Sequence, residues 1–280
     1  MKIIELDGPL KLTNDGELEI VFLGTGTAFA RSLYQTIFII IKGDTHILVD
    51  FGMTGPQGLA ALGRRAEDIA VVLPTHSHSD HIGGIEYLTL LNRYVAQPQG
   101  RPKLTMLGTD EYLPVLWEQS LRGGLEYNEL NPEGRRLGFD DFYDFHVLAP
   151  FSDTPRSVFK TNFRGIDLEL FHTNHIPGEA ETPQDAFITY GLVVDGRVFL
   201  SGDTKFDPDL IEMYQGRVEC FFHDASLTKN AVHASFSELN TLPEDVRKRM
   251  YLMHYQDDTT AEHGAPFAGL AKQNTRYIFD

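Results

Sequence analysis

Four side chains able to bind metal lie within six residues of one another. His76, His78, Asp80 and His81 offer imidazole and carboxylate groups, the ligands that zinc, iron and manganese take in proteins. The apolar run at 69–73 predicts a buried strand that leads into them. Alternation along an extended chain puts His76 and His78 on one side, and Asp80 and His81 follow on the turn. We therefore predict two pairs of ligands that face two adjacent points, with a polar loop of coincidental histidines as the alternative.

This pattern resembles the signature of the metallo-β-lactamase superfamily. The motif reads His-x-His-x-Asp-His and is followed by Ile82-Gly83-Gly84, glycines that suit a crowded ligand turn. The resemblance covers nearly the whole chain, and because His81 directly follows Asp80 it points to the two-metal members. It implies an α+β fold, the four-layer αββα sandwich, in one domain over 1–280. Composition alone indicates only α/β or α+β.

The resemblance also implies three ligands in the second half of the chain. His175, Asp203 in Ser-Gly-Asp-Thr, and His254 in Leu-Met-His-Tyr follow apolar runs in the order of the later metal motifs of the family. His172, three residues before His175, stays open as an alternative ligand or as a supporting group. Asp203 would bridge two metals, of which one takes His76, His78 and His175 and the other takes Asp80, His81 and His254.

A further segment resembles the ribonuclease Z and phosphodiesterase-like branch. The run at 222–226 followed by the run at 232–235 is similar to that branch's His-Glu-Ala-Thr and His-Ser-Thr motifs. The resemblance implies that His233 donates a proton and that Asp224 orients it. Asp stands here for Glu, and Ala for Ser, so the contact of the shorter Asp224 with His233 is the weakest part of the resemblance. The alternative is a capping or surface role for His233.

A site of this kind fits phosphodiester hydrolysis. Two metal ions lower the pKa of water and stabilise the charge that develops on phosphorus. We expect Asp80 and Asp203 to hold and orient the attacking water while His233, oriented by Asp224, protonates the leaving oxygen. The cofactors would be two divalent transition-metal ions per chain, with zinc the first expectation and iron or manganese open.

Charge argues for a small substrate. The chain has 40 acidic and 24 basic residues, a net charge of -16 and a pI near 5.0, so it repels a long nucleic acid unless a local basic patch compensates. Between 147 and 175 the sequence lacks the basic, Gly/Pro-rich arm with which ribonuclease Z enzymes grip tRNA. We expect a small phosphodiester such as a cyclic nucleotide, with lipid-type head groups and sulfate esters left open. The acidic loop at 178–183 could repel anions or close as a lid.

Two other function classes remain to be weighed. A di-iron protein that binds dioxygen or senses redox state could use the same fold, because iron accepts the same ligands. Tyr255 could then donate a hydrogen bond to a bound peroxide, although the flavin-linked di-iron members have Glu where this chain has His78. A binding module that has lost its chemistry is the third alternative, and the presence of all seven ligands argues against it.

The sequence predicts some of the strands and helices that must position these residues. Apolar runs predict strands at 17–23, 36–42, 46–51, 104–107, 166–171, 187–194, 198–200 and 220–222. Helical patterns occur at 55–65, from the metal motif to about 93, and at 111–121, where Asp110 is the predicted N-cap. The segment 123–144 shows no clear period.

The remaining composition fits a globular protein. With 42% hydrophobic residues, 280 residues can bury a full core. We expect no membrane span and no signal peptide, hence a cytoplasmic protein. Cys220 is the only cysteine, so no internal disulfide can form. Homodimers are common in the resembling family, which is the only reason to expect one here.

Overall fold

The computed structural model describes all 280 residues, Met1–Asp280, and the chain forms two compact units. The first unit contains Met1–Gly24, Tyr34–Val147 and Gln273–Asp280. The second contains Thr25–Leu33 and Leu148–Lys272. None of the helices is both long and apolar enough to cross a membrane. The single domain over 1–280 stays a prediction.

The first unit is built on a mixed sheet of eight strands. In chain order these are β1 (Lys2–Glu5), β2 (Leu18–Gly24), β3 (Ile37–Lys42), β4 (Thr45–Val49), β5 (Val71–Leu73), β6 (Leu104–Gly108), β7 (Tyr143–Val147) and the last strand of the chain, β16 (Thr275–Phe279). Their order across the sheet is β1-β16-β2-β3-β4-β5-β6-β7. The strands from β4 to β7 run parallel and the other pairs are antiparallel. β3 reads Ile-Phe-Ile-Ile-Ile-Lys, and such a continuous apolar run is typical of a strand covered on both faces.

The helices of the first unit are short. They are α1 (Gly55–Ala61), α2 (Ser79–Ile82), α3 (Ile85–Leu91), α4 (Leu113–Leu116), α5 (Arg122–Leu125) and α6 (Phe139–Phe142), with 3-10 turns at Ala66–Asp68 and Gln97–Gln99 and π-helical turns at Asn92–Ala96 and Trp117–Leu121.

Two helix predictions need correction. The helix expected to run from the metal motif to about residue 93 is interrupted at Gly83 and Gly84 between α2 and α3. The helix predicted from 111 begins at Leu113, and Asp110 does not cap it. Instead the backbone N–H of Tyr112 donates to Thr109 Oγ1 at 3.2 Å. The N-cap residue of α4 is Tyr112, and no side chain caps the helix.

The second unit has its own eight-stranded mixed sheet. Its strands are β8 (Ala149–Ser152), β9 (Val158–Phe163), β10 (Ile166–His172), β11 (Tyr190–Val194), β12 (Val198–Leu200), β13 (Cys220–Asp224), β14 (Met250–Met253) and β15 (Gly269–Leu270). They lie side by side in chain order. The strands from β8 to β12 are antiparallel and those from β12 to β15 are parallel.

Four helices belong to the second unit: α7 (Pro208–Gln215), α8 (Phe236–Leu239), α9 (Glu244–Arg247) and α10 (Ala261–Gly264). An aromatic cluster binds α7 to the sheet. Phe199 stacks on Phe171 at 5.1 Å between ring centroids and lies 5.4 Å from Tyr214 and 5.2 Å from Phe221. Burial of these large rings stabilises the frame from which the loops of the unit emerge.

Candidate metal centre

The first unit delivers its candidate ligands from the carboxyl end of β5. β5 pairs with β4 in parallel, with Leu73 opposite Val49, so both strands end at the same edge of the sheet. His76 and His78 follow β5, and α2 carries Asp80 and His81 in its single turn. His76 Nε2 lies 3.0 Å from His78 Nδ1, and His81 Nε2 lies 3.2 Å from Asp80 Oδ2.

Asp50, which the sequence analysis did not single out, orients two of these histidines. It is 4% exposed and directly follows β4. Its Oδ2 accepts from His81 Nδ1 at 2.7 Å and from the hydroxyl of Thr75 at 2.8 Å, and that hydroxyl lies 3.2 Å from His76 Nδ1. Burial raises the pKa of Asp50, while His81 and Thr75 act against the rise. With each Nδ1 held in this way, the Nε2 atoms of His76 and His81 are left for a metal.

Close backbone approaches explain the glycines around this turn. A Cβ on Gly52 would lie 1.9 Å from the carbonyl oxygen of Asp80, and one on Gly84 would lie 2.6 Å from that of Gly52. Asp50 itself has a positive φ of 60°. A side chain at either glycine would push the ligand turn away from β4, as the sequence had suggested for Gly84.

The second unit delivers its candidate residues from three neighbouring parallel strands. Asp203 follows β12, Asp224 ends β13 and His254 follows β14. Because β12, β13 and β14 are adjacent and parallel, their carboxyl ends meet at one edge of the sheet. Asp203, Asp224, His233 and His254 each offer a ligand atom, and these atoms lie within 4.8 Å of one another. His254 has a positive φ of 57°, which costs free energy in a residue other than glycine and is common at functional sites.

The structure places His175, and not His172, beside Asp203. His175 Nε2 lies 3.7 Å from Asp203 Oδ2, and its Nδ1 donates to the carbonyl of Val232 at 2.9 Å. The ring of His172 packs instead against Phe159, with centroids 6.0 Å apart. Burial lowers the pKa of His175 despite the nearby Asp203, which favours the neutral ring that a metal requires.

Asp224 contacts His233 in spite of its short side chain. Asp224 Oδ2 lies 2.7 Å from His233 Nδ1, and Oδ1 lies 3.5 Å from His254 Nδ1. Asp224 is fully buried and its Oδ2 also accepts from the backbone N–H of Thr204. Burial opposes a charge on His233, but the carboxylates of Asp224 and Asp203 favour it, and the net effect is a raised pKa of His233. Because Nδ1 of His233 is held by Asp224, Nε2 is the ring nitrogen left for other partners.

Tyr255 has no proton to give to a bound peroxide. Its hydroxyl donates to the carbonyl of Ala271 at 2.7 Å and lies 3.0 Å from Thr25 Oγ1, and the residue is 7% exposed. The hydroxyl of Tyr255 is therefore committed to Ala271 and does not support the di-iron alternative.

The candidate ligands of each unit fit a divalent transition metal. Asp203 Oδ2 lies 3.5 Å from His254 Nε2 and 3.7 Å from His175 Nε2, too far for hydrogen bonds. Two ligands that each lie about 2.0–2.2 Å from one ion are separated by distances of this order. The hydrogen bonds at the Nδ1 atoms of His81 and His175 are those that usually orient metal-bound histidines.

Comparison with known proteins places these residues in a family. A family model described as Anti-Pycsar protein Apyc1 matches residues 18–277. Anti-Pycsar protein Apyc1 from Paenibacillus sp. (strain J14) is 32% identical over 251 residues, which cover 89% of this chain and 93% of that relative. The protein of the same description from Bacillus phage BSP38 is 33% identical over 243 residues, 86% of this chain and 90% of that relative.

Solved structures show the fold. A diphosphatase from the PhnP family and the metallo-β-lactamase fold protein YhfI from Bacillus subtilis each match with a TM-score of 0.64, at 15% and 14% identity. Both matches cover 94% of this chain, and 98% and 100% of the respective structures. The short form of human tRNase Z matches with a TM-score of 0.58 at 17% identity, over 85% of this chain and 93% of that one. The predicted α+β fold, the αββα metallo-β-lactamase sandwich, is thereby confirmed.

The resemblance stated from the sequence is therefore confirmed as well. The protein is a metal-dependent hydrolase with the metallo-β-lactamase fold, and the chain belongs to the Anti-Pycsar protein Apyc1 family.

Proposed function

We propose that the protein is a binuclear phosphodiesterase that hydrolyses a small phosphodiester such as a cyclic nucleotide, and not tRNA. The observation that carries the proposal is the contact of 2.7 Å between Asp224 and His233. An imidazole with a raised pKa, oriented by a buried carboxylate, is the general acid that a departing alkoxide requires.

The proposed ligands are the seven residues predicted from the sequence. One ion would be held by His76, His78 and His175, the other by Asp80, His81 and His254, with Asp203 shared. This allocation follows the family resemblance and is supported by the donor geometry inside each unit. When bound, two divalent ions lower the pKa of water and neutralise the charge of the phosphate. Zinc as the metal, a homodimer and a cytoplasmic location belong to the proposal and rest on the sequence alone.

The residues of the chain then have distinct tasks. Asp80 and Asp203 hold and orient the attacking water. Asp224 fixes the ring of His233, so that the proton to be transferred is at Nε2. His233 gives that proton to the leaving oxygen, which is worth about 10²–10⁴ in rate for general-acid catalysis.

The preference for a small substrate rests on the segment before His175. Residues 148–172 are largely occupied by β8, β9 and β10, which form an antiparallel meander. No inserted arm is present there that could grip tRNA. The net charge of -16 adds long-range repulsion for a polyanion.

The test is a substrate panel on protein purified without chelators. Turnover of bis-nitrophenyl phosphate and of a 3′,5′-cyclic nucleotide, without cleavage of a tRNA precursor, is the expected result. Cleavage of the tRNA precursor, or inertness toward every diester with metal bound, would overturn the proposal.

A further inference from the structure

The loop at 227–233 leads to the proposed proton donor. Its base is closed, because the backbone N–H of Ser226 donates to the carbonyl of Ala234 at 2.8 Å. Gln256 holds the same base, since its Oε1 accepts from the backbone N–H of Leu227 at 3.0 Å. The segment between these fixed points is short, and its own contacts decide where its last residue lies.

One peptide unit of this loop has a partner on each side. The peptide between Val232 and His233 donates through its N–H to Asn230 Oδ1 at 2.8 Å. Its carbonyl accepts from His175 Nδ1 at 2.9 Å. Asn230 Oδ1 also accepts from the backbone N–H of Val232 at 2.9 Å. An oxygen that accepts from the backbone two and three residues further on is a usual way in which an asparagine side chain fixes a turn.

The rigidity of that peptide connects two groups of the candidate site. A trans peptide is planar and its N–H and C=O point in opposite directions, so the unit turns only as one body. A rotation that breaks the bond to Asn230 therefore also moves the carbonyl that orients His175. The same rotation moves the Cα from which the side chain of His233 extends.

Asn230 can be replaced without disturbing the core. The residue is exposed, and apart from the two bonds to Oδ1 its side chain donates only to the carbonyl of Thr228, at 3.2 Å. A substitution therefore removes hydrogen bonds of the loop and opens no cavity.

We propose that Asn230 is a positioning residue of the site, which through one peptide unit fixes the ring of His175 and aims the imidazole of His233. The part that concerns His233 rests on the proposed function. The part that concerns His175 requires only that this histidine binds metal.

The first test compares two diesters with different leaving groups. A 3′,5′-cyclic nucleotide releases an alkoxide that needs a proton, whereas bis-nitrophenyl phosphate releases a stable nitrophenolate that needs hardly any. With metal saturating, we expect Asn230→Ala to lower kcat for the cyclic nucleotide about 10–100-fold, part of the 10²–10⁴ that a general acid contributes, and to lower kcat for the other diester much less. Asn230→Asp keeps the accepting oxygen and should restore kcat. Equal losses with both diesters would reveal a general disturbance and overturn the proposal.

A double substitution shows whether Asn230 acts through His233. In His233→Ala the proton donor is absent, so the further change Asn230→Ala should leave kcat for the cyclic nucleotide as it is, because residues that act as a unit are not additive. Losses that multiply would overturn the proposal. Asn162→Ala is the matched control: Asn162 is exposed in the same unit, and its Oδ1 closes another turn by accepting from the N–H of Gly165 at 3.1 Å. Its kcat should equal that of the unmodified protein.

Competition with a chelator tests the contact with His175 without any turnover. Asn230→Ala should weaken metal affinity about tenfold, the lower end of what a supporting residue contributes, and Asn162→Ala should leave it unaltered. Unaltered affinity in Asn230→Ala would overturn the shared role. Failure of every diester to react in the metal-loaded protein overturns the proposed function instead, and the chelator result then still decides whether Asn230 holds His175.

Discussion

Asp224 Oδ2 lies 2.7 Å from His233 Nδ1, although the carboxylate is one methylene shorter than that of the motif it resembles. Asp224 is the last residue of β13 and is fully buried. The backbone N–H of Asp224 donates to Ser201 Oγ at 2.8 Å, which fixes the residue further. This contact is the one that the proposed role of His233 as an oriented proton donor requires.

Replacement of His233 should separate catalysis from metal binding. We expect His233→Ala to lower kcat about 10²–10⁴-fold, the usual worth of a general acid, with unchanged metal content. Metal analysis and steady-state kinetics of the same preparation check this. His263→Ala is the control, since His263 is an exposed histidine on α10, and its kcat should be unaffected. Loss of metal from His233→Ala would mean that His233 is a ligand.

Asp50 should control metal affinity from outside the ligand set. Asp50→Asn cannot accept equally from His81 and Thr75, so the ring orientations at His81 and His76 are weakened. We expect metal affinity to fall about 10–100-fold, as is usual for such supporting residues. Competition with a chelator measures the change. Asp44→Asn, in the exposed turn between β3 and β4, should leave the affinity unaltered, and an unaltered affinity in Asp50→Asn would refute the orienting role.

The contact of Gly52 with the ligand turn predicts a large effect of a single methyl group. Because a Cβ there would lie 1.9 Å from the Asp80 carbonyl, Gly52→Ala must displace the turn. We expect a loss of about 1–3 kcal/mol in the free energy of unfolding, the usual cost of overpacking. Gly216→Ala is the matched control, since Gly216 has a φ of -81° and open space around its Cβ position. Equal melting temperatures for the two variants would contradict the prediction.

His223 should make the stability of the protein depend on pH below neutrality. The residue is fully buried, its Nδ1 donates to the carbonyl of Asp224, and its Nε2 has no partner. Burial lowers the pKa of His223 in the folded state. Below about 6.5 an unfolded histidine binds a proton that the folded one does not, so folding stability falls as the pH drops, by up to about 1.4 kcal/mol per pH unit.

Urea unfolding at pH 5, 6 and 7 measures that dependence. His223→Leu cannot titrate, so its stability should fall less steeply with decreasing pH than that of the unmodified protein, whatever its absolute stability. Parallel curves for the two proteins would show that His223 does not contribute.

The metal motif could be predicted from the sequence because its residues are contiguous. The positions of His76, His78, Asp80 and His81 at the end of a buried strand follow from a local pattern that needs no knowledge of distant contacts. The strand ends at Asp203 and His254 were readable for the same reason. Their positions follow from the apolar runs directly before them.

The supporting residues could not be predicted in this way. Asp50 meets Thr75 and His81 only because β4 and β5 pair in parallel, a contact that spans 25 residues or more in the sequence. Its signal was present as an acidic residue inside the apolar run at 46–51, but several residues fit that description. Lys205 Nζ donates to three backbone carbonyls of another loop. Such a contact cannot be predicted from the sequence, because every residue has a backbone carbonyl.

The central claim is tested most directly by metal content, visible spectrum and diester turnover measured on one preparation purified without chelators. The account predicts two ions per chain, no absorption band that changes between air and anaerobic reduction, and hydrolysis of a 3′,5′-cyclic nucleotide. Two irons with an oxygen-dependent band and no hydrolysis would contradict it and would make the protein a dioxygen-binding or redox protein.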